Sequence, residues 1–146
     1  DLKSVQDLNH GLFIHDQKWI SHLIMEWPYG EEGKTYFEDG ILGRDGACFV
    51  AELDGAVIGY IRGAIVHSEG YRDVKQAELA NMYIDDEYRR QGVGESLVGV
   101  FTRWCKEQGA ERIVGEASSG NDRAITFYEK GGFEPASLRL EKDITA

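Results

Sequence analysis

A strand-like run that turns through two closely spaced glycines into a helix is the most constraining feature of this 146-residue sequence. Residues 78–84 have the strand-like pattern, and residues 93–108 carry apolar side chains at helical spacing. Between them lies Arg89-x-x-Gly92-x-Gly94. Glycine lets a backbone approach a ligand closely, and the free N–H groups at the start of a helix attract anions. The pattern therefore predicts a phosphate-binding turn.

Two common phosphate-binding motifs fit this turn poorly. A Walker loop requires Gly-Lys-Ser/Thr at the start of its helix, and this turn lacks it. A dinucleotide fingerprint requires a third small residue where Leu97 stands, and a first strand near the chain start. A third motif, the Arg/Gln-x-x-Gly-x-Gly/Ala pyrophosphate loop of coenzyme A acyltransferases, matches at each defined position.

The rest of the chain predicts alternating strands and helices. Residues 1–25 read as helical, with a stripe through Val5, Leu8 and Leu12 and a second stripe from Trp19 to Ile24 after a plausible cap at Asp16. Pro28 ends that run, and residues 29–46 are predicted to be loop with a short helix near 36–42.

Strands are predicted over 48–53 and 56–66, joined by an Asp54-Gly55 turn, and over 112–116. A helix is predicted from Asn121 or Asp122 to about Lys130, and a final strand through Leu138 and Leu140. We therefore expect one α/β (α+β) domain over 1–146, with a mixed, mostly antiparallel sheet flanked by helices.

Composition excludes several classes of function. There are 16 basic and 26 acidic residues, so the net charge of −10 argues against general nucleic-acid binding. No apolar run approaches the ~18 residues that a membrane span requires. The two cysteines are far apart and the four histidines lack ligand-like spacing, so we expect neither a disulfide nor a metal site. No leader pattern is recognisable, and we expect a cytoplasmic protein.

A second motif follows the glycine turn by about thirty residues. It is Asn121-Asp122-Arg123-Ala124-Ile125-Thr126-Phe127-Tyr128, followed by Gly132-Phe133. Together the two motifs resemble those of the GNAT superfamily of N-acetyltransferases, over roughly residues 48–143. The resemblance implies a sheet splayed at the strands that bind the coenzyme, with acetyl-CoA as cosubstrate and no metal.

The resemblance also assigns roles to individual residues. The loop would hold the coenzyme A pyrophosphate, while backbone groups of the preceding strand would pair with the pantetheine arm. Asn121 would bind pantetheine or cap its helix, and Ala124 and Phe127 would shape the channel. The implied coenzyme-binding residues are Met82, Tyr83, Ile84, Arg89, Arg90, Gln91, Gly92, Val93, Gly94, Glu95, Ser96, Asn121, Ala124 and Phe127.

The implied reaction is direct transfer of an acetyl group from the thioester to an amine, which attacks only when neutral. Tyr128 is the candidate acid for the leaving thiolate, and Glu78, fourteen residues before Gly92, is the candidate base. Asn81 and Tyr83 are alternatives that would contact substrate or relay a proton through water. Strict alternation would place Glu78, Ala80, Met82 and Ile84 on one face of their strand.

The acceptor is less defined than the coenzyme. The acidic residues of segment 26–45 would line a pocket for a polyamine, an amino sugar, a lysine side chain or a peptide N-terminus, or form a solvated loop. The alternative to an enzyme is a catalytically silent acyl-CoA sensor or interaction module, and transfer of a larger acyl group is a third possibility. The C-terminal strand would offer an edge for a homodimer.

Overall fold

A four-stranded sheet lies at the centre of the structure, a computed structural model that describes residues 1–145. The strands are adjacent in the order β1 (Ala47–Leu53), β2 (Ala56–Val66), β3 (Gln76–Ile84) and β4 (Arg112–Gly115). The first two pairs are antiparallel, whereas β3 and β4 are parallel. The mixed, mostly antiparallel sheet predicted from the sequence is confirmed.

Helices cover both faces of this sheet. On one face, α3 (Val93–Glu107) buries Leu97, Phe101 and Cys105 against Ile61 and Leu79. The other face packs against α1 (Leu2–Asp16) and α2 (Glu31–Leu42), with a core of Val5, Leu8, Phe37 and Tyr60. The apolar stripe predicted for α3 therefore faces the sheet. A fourth helix, α4 (Asp122–Lys130), follows β4.

The β1–β2 hairpin turns as its sequence predicts. Asp54 and Gly55 both have positive φ, at 51° and 82°, as a type I′ turn requires. Such a turn matches the twist of the flanking strands, and β1 and β2 pair from Leu53–Ala56 to Ala47–Gly63.

A bulge in β3 changes which of its side chains share a face. Arg62 pairs with Asn81 but Gly63 pairs with Leu79, so Ala80 is an extra residue without a partner on β2. Leu79, Met82 and Ile84 consequently all contact the core beneath α3. The strict alternation predicted for this strand is wrong, because the extra residue places Glu78 on the same face as Asn81 and Tyr83.

The sheet separates where β3 and β4 diverge. Their pairing ends at Leu79 and Gly115, although β3 continues to Ile84. One edge of the last five residues of β3 therefore faces a cleft instead of a neighbouring strand. This is the splay that the family resemblance implies.

Two helix predictions in the first third of the chain need correction. Residues 17–24 do not continue α1, and His22 has a positive φ of 64°, which interrupts a helix. Ile20 and Ile24 are exposed, so the apolar pattern there does not mark a buried stripe. The segment 29–46 is not mainly loop, since α2 occupies Glu31–Leu42 and a short 3-10 helix occupies Trp27–Tyr29.

The predicted C-terminal strand is also wrong. Residues 134–145 have no regular secondary structure, and Leu138 and Leu140 are 81% and 88% exposed. An alternating pattern indicates which side chains could share a face, but a strand also needs a partner for its hydrogen bonds. No strand among residues 1–145 pairs with this segment, so it does not supply the dimer edge that we expected.

We predict that Gly63→Ala destabilises the protein. An added Cβ would lie 2.2 Å from the Phe101 ring and 2.3 Å from the Glu78 carbonyl oxygen, so sheet or helix must shift. Overpacking of this kind costs about 1–3 kcal/mol. Thermal or urea unfolding measures the loss.

Gly99→Ala is the matched control for this substitution. Gly99 lies within α3, and its added Cβ would meet nothing within 4 Å. Alanine should therefore leave stability unchanged or raise it by up to ~1 kcal/mol. Equal effects of the two substitutions would contradict the packing described here.

Candidate active site

The open edge of β3 presents backbone groups to the cleft. Asp85 N–H donates to Ile58 C=O on β2 at 2.9 Å. Successive N–H groups of a strand point to opposite edges, so those of Asn81 and Tyr83 also face β2. The N–H groups of Met82 and Ile84 consequently face the cleft, and these are the two residues assigned to the pantetheine arm.

The turn after β3 exposes a second set of N–H groups. Arg90 and Gly92 have positive φ, at 64° and 81°, which bends the chain into α3. The first helical bond runs from Ser96 N–H to Gly92 C=O at 3.0 Å. In the described chain, the N–H groups of Val93, Gly94 and Glu95 have no backbone or side-chain acceptor. The start of α3 is therefore free to bind an anion.

Gly94 is small for a packing reason as well. A Cβ at this position would lie 3.1 Å from the Phe127 ring of α4. The start of α3 and the face of α4 thus meet closely, and Ala124 on α4 is half-buried. The space beside Gly92 is open, since a Cβ added there would have no neighbouring atom within 4 Å.

Arg89 has several partners within the protein. Its Nε donates to Ile84 C=O at 3.1 Å, and its Nη1 lies 3.2 Å from an Asp86 carboxylate oxygen. The guanidinium also stacks over the Tyr83 ring at 4.9 Å. These contacts fix the turn between β3 and α3, and they leave the Ile84 N–H, but not its C=O, free for a ligand.

A basic groove lies beside this turn. It has a volume of about 500 Å³ and is lined by His15, Lys18, Asp86, Arg89, Arg90 and Arg123. Four of these six residues are lysine or arginine, in a chain with a net charge of −10. The groove brings together the end of α1, the glycine turn and the start of α4, and it favours an anionic ligand.

Asn121 has the capping role that was one of its two predicted roles. Asn121 is the N-cap of α4, and its side-chain oxygen accepts a hydrogen bond from Ala124 N–H at 3.1 Å. It therefore caps the helix that carries Tyr128. The remaining assigned side chains of the turn, Gln91, Glu95 and Ser96, are exposed.

Tyr128 projects from α4 among other aromatic rings. Its ring centroid lies 5.4 Å from those of Phe127 and Phe133. Burial, and then the negative charge of Asp16, raise the pKa of Tyr128 above its ordinary value of 10.0. The phenol therefore stays protonated at neutral pH, as an acid must.

Across β3 from α3, Glu78 and Asn81 lie on one face. Glu78 is exposed, whereas Asn81 is held in a chain of hydrogen bonds. Asn9 Nδ2 donates to Tyr60 Oη at 2.8 Å, and Tyr60 Oη donates to Asn81 Oδ1 at 2.7 Å. Asn81 Nδ2 in turn donates to Tyr36 Oη at 3.0 Å. This series of hydrogen bonds joins α1, β2, β3 and α2.

Arg62 fixes the ring at the end of this chain. Its side chain is 1% exposed, and its guanidinium carbon lies 4.2 Å from the centre of the Tyr36 ring. Its Nη2 donates to Tyr36 C=O at 3.1 Å and its Nη1 to Gly63 C=O at 2.8 Å. The interaction ties α2 to the sheet.

Other residues that lie around the predicted site were not singled out from the sequence. Lys18 and Arg123 line the groove although 105 positions separate them, and no local pattern connects them. Tyr36 was not singled out, because its neighbour Asn81 lies 45 positions away. Most acidic residues of segment 26–45 are exposed, while Glu38 and Asp39 are half-buried.

Residues 1–145 contain neither a metal-binding cluster nor a helix suited to cross a membrane. No three or more His, Cys, Asp or Glu side chains come together there in a group that could hold a metal ion. Nor is any helix in this part of the chain long and apolar enough to cross a bilayer.

Comparisons with known proteins agree with this geometry. Residues 14–133 match the profile of the acetyltransferase (GNAT) family. An N-alpha-acetyltransferase of Sulfurisphaera tokodaii is 32% identical over 70% of this chain and 65% of its own. A putative ribosomal protein bS18-alanine N-acetyltransferase of Bacillus subtilis is 34% identical over 62% of this chain and 55% of its own. The chain thus spans less than two thirds of the length of either relative.

Solved structures show the same fold. An aminoglycoside N-acetyltransferase in complex with CoA superimposes with a TM-score of 0.72, over 99% of this chain and 89% of that one, at 19% identity. The splayed sheet, the glycine turn and the matched profile lead to one conclusion. The chain belongs to the GNAT acetyltransferase family.

Proposed function

We propose that this chain transfers an acetyl group from acetyl-CoA directly to a primary amine. One observation carries the proposal: the open edge of β3 leads to the free N–H groups of α3, beside a basic groove. A ligand with an extended arm of amide groups that ends in phosphates would match these polar groups in order. Coenzyme A has that composition.

The chain's own groups account for each part of the coenzyme. Met82 N–H and C=O and the Ile84 N–H would pair with the pantetheine amides as a neighbouring strand does. The N–H groups of 93–95 would bind the pyrophosphate at the start of α3. Arg90, Lys18 and Arg123 would attract the remaining phosphate charge in the groove.

Two side chains would move protons during the transfer. Tyr128 would give its proton to the departing thiolate, since its raised pKa keeps it protonated. Glu78 would accept the proton that the amine loses, from the other face of β3. A backbone N–H near Met82 would stabilise the oxyanion that forms at the thioester carbon.

The acceptor class follows from the relatives and from charge. The relatives' names include protein N-termini and aminoglycosides as acceptors. Both present amines that are cations before they react, and the exposed acidic side chains near α2 attract cations. We therefore propose an amine of a peptide N-terminus or of an amino sugar as acceptor.

Location and assembly form part of the same proposal. A cytoplasmic location is supported by the intracellular coenzyme and by the free thiols of Cys48 and Cys105. A homodimer is supported by β4, which is an edge strand of the sheet in the described chain and could pair with a second copy.

A thiol-release assay tests the proposed reaction. Acetyl-CoA is offered with a panel of spermidine, an aminoglycoside, lysine and a peptide with N-terminal alanine. We expect release with one acceptor class, and a fall in kcat of at least about tenfold in Tyr128→Phe. Because the pKa of Tyr128 is raised, deprotonation of this acid should not slow the reaction below pH 10.

Calorimetric titration with acetyl-CoA separates the possible failures. Binding without release from any panel amine would support a silent acyl-CoA sensor and contradict the enzyme. Failure to bind acetyl-CoA would contradict the assignment of the pyrophosphate to the glycine turn.

We predict that the basic groove contributes to coenzyme affinity. Arg90→Gln and Arg123→Gln should each raise the Kd for acetyl-CoA several-fold, because each removes a positive charge from the groove. The difference from wild type should shrink as salt is added. Arg72→Gln is the control, since Arg72 pairs with Glu69 outside the groove and its loss should leave the Kd unchanged.

We also predict that Asn121→Ala loosens α4. Loss of the cap should cost about 1 kcal/mol of stability and speed amide hydrogen exchange at Ala124. Asn121→Asp keeps the accepting oxygen and should retain wild-type exchange. Slow exchange at Ala124 in the alanine variant would argue against the capping role.

A further inference from the structure

Three hydrogen bonds link Asn9, Tyr60, Asn81 and Tyr36 on the α1–α2 face of the sheet, and they all run in one direction. Each donor points along the chain from Asn9 through Tyr60 and Asn81 to Tyr36. Asn81 uses its amide nitrogen towards Tyr36 and its oxygen towards Tyr60, so it cannot accept a proton from Tyr36. The Tyr36 hydroxyl therefore receives a hydrogen bond, while its own proton has no acceptor among residues 1–145.

Asn81 holds this hydroxyl beside the part of β3 where the cleft begins. The cleft closes where β3 and β4 begin to pair, at Leu79 and Gly115. An arm that enters beside the start of α3 therefore ends near residues 79–81. Asn81, which holds the Tyr36 hydroxyl at 3.0 Å, is located at that point.

Glu78 lies on the same face of β3 as Asn81, which holds this hydroxyl. The bulge at Ala80 places Glu78 and Asn81 as successive side chains on one face, about 7 Å apart along the strand. The negative charge of Glu78 contributes to the raised pKa of Tyr36, after burial and against the opposing effects of Arg62 and Asn81. Tyr36 is thus a neutral phenol at neutral pH, on the side of β3 that carries the Glu78 carboxylate.

We propose that Tyr36 is a catalytic residue that relays the proton of the acceptor amine to Glu78, an inference that rests on the proposed acetyl transfer. The C–N bond forms as the amine attacks the thioester carbon, and the nitrogen gives its proton to the Tyr36 oxygen. Tyr36 passes its own proton through a bridging water to the Glu78 carboxylate. The C–S bond breaks and the thiolate takes the Tyr128 proton. Solvent later removes the proton from Glu78 and returns one to Tyr128.

The packing of Tyr36 suits a relay, which requires a fixed hydroxyl. Its ring lies beneath the Arg62 guanidinium, and its centroid is 5.6 Å from that of Trp27 and 5.0 Å from that of Phe37. The hydroxyl cannot turn away without breaking these contacts. Preorganisation of this kind places the oxygen before the amine arrives.

A double-mutant cycle tests the relay. The probe is whichever panel amine the wild type acetylates fastest. Tyr36→Phe keeps the ring and removes only the hydroxyl, so kcat should fall at least about tenfold while the Kd for acetyl-CoA stays within twofold. Glu78→Gln should have a similar effect. Because the two groups act in series, the double variant should be no slower than the slower single variant.

Asn81→Asp provides a second variant that retains Tyr36. A carboxylate at this position accepts the Tyr36 proton in place of donating to the hydroxyl, so kcat should again fall. Tyr29→Phe is the matched control. Its hydroxyl donates to Asp7 on the outer side of α1, and its removal should leave kcat unchanged.

The results that would overturn the relay differ from those that would overturn acetyl transfer. Wild-type kcat in Tyr36→Phe, or effects of Tyr36→Phe and Glu78→Gln that multiply, would overturn the relay and leave acetyl transfer intact. No thiol release by the wild type with any panel amine would overturn the proposed function, and the relay with it.

Discussion

The divergence of β3 from β4 leaves half of a central strand without a partner, and the rest of the site depends on it. A strand end whose N–H groups have lost one neighbour is costly to bury. In this chain it faces a cleft that a ligand with amide groups can complete. The glycine turn and the start of α3 continue the same line of unpaired N–H groups towards the basic groove.

Buried polar groups hold together the face of the sheet that packs against α1 and α2. Arg62 is buried without a carboxylate partner in the described chain, which is costly for a charged group. Two carbonyl oxygens and the Tyr36 ring compensate it. The result is a rigid connection between α2 and β2, and it holds Tyr36 and Asn81 in one arrangement. The α1–α2 face is thus held by polar contacts, whereas the free edge of β3 consists of unpaired backbone groups.

Local patterns allowed much of this arrangement to be predicted from the sequence. The glycine turn, the stripe of α3 and the cap at Asn121 depend on neighbouring residues, and each predicted element is present. The bulge at Ala80 could not be predicted, because it is defined by the pairing of β3 with β2. That single residue decides that Glu78 shares a face with Asn81. The groove depends on residues as distant as Lys18 and Arg123, so no local signal reveals it.

Amide hydrogen exchange with and without acetyl-CoA tests most directly whether the coenzyme completes the open strand. We predict slower exchange at Met82 and Ile84 and at residues 93–95 when acetyl-CoA is bound. Asn81 and Tyr83 already face β2 and serve as internal controls whose exchange should change less. Protection that spares Met82 and Ile84, or that occurs only elsewhere in the chain, would contradict the account.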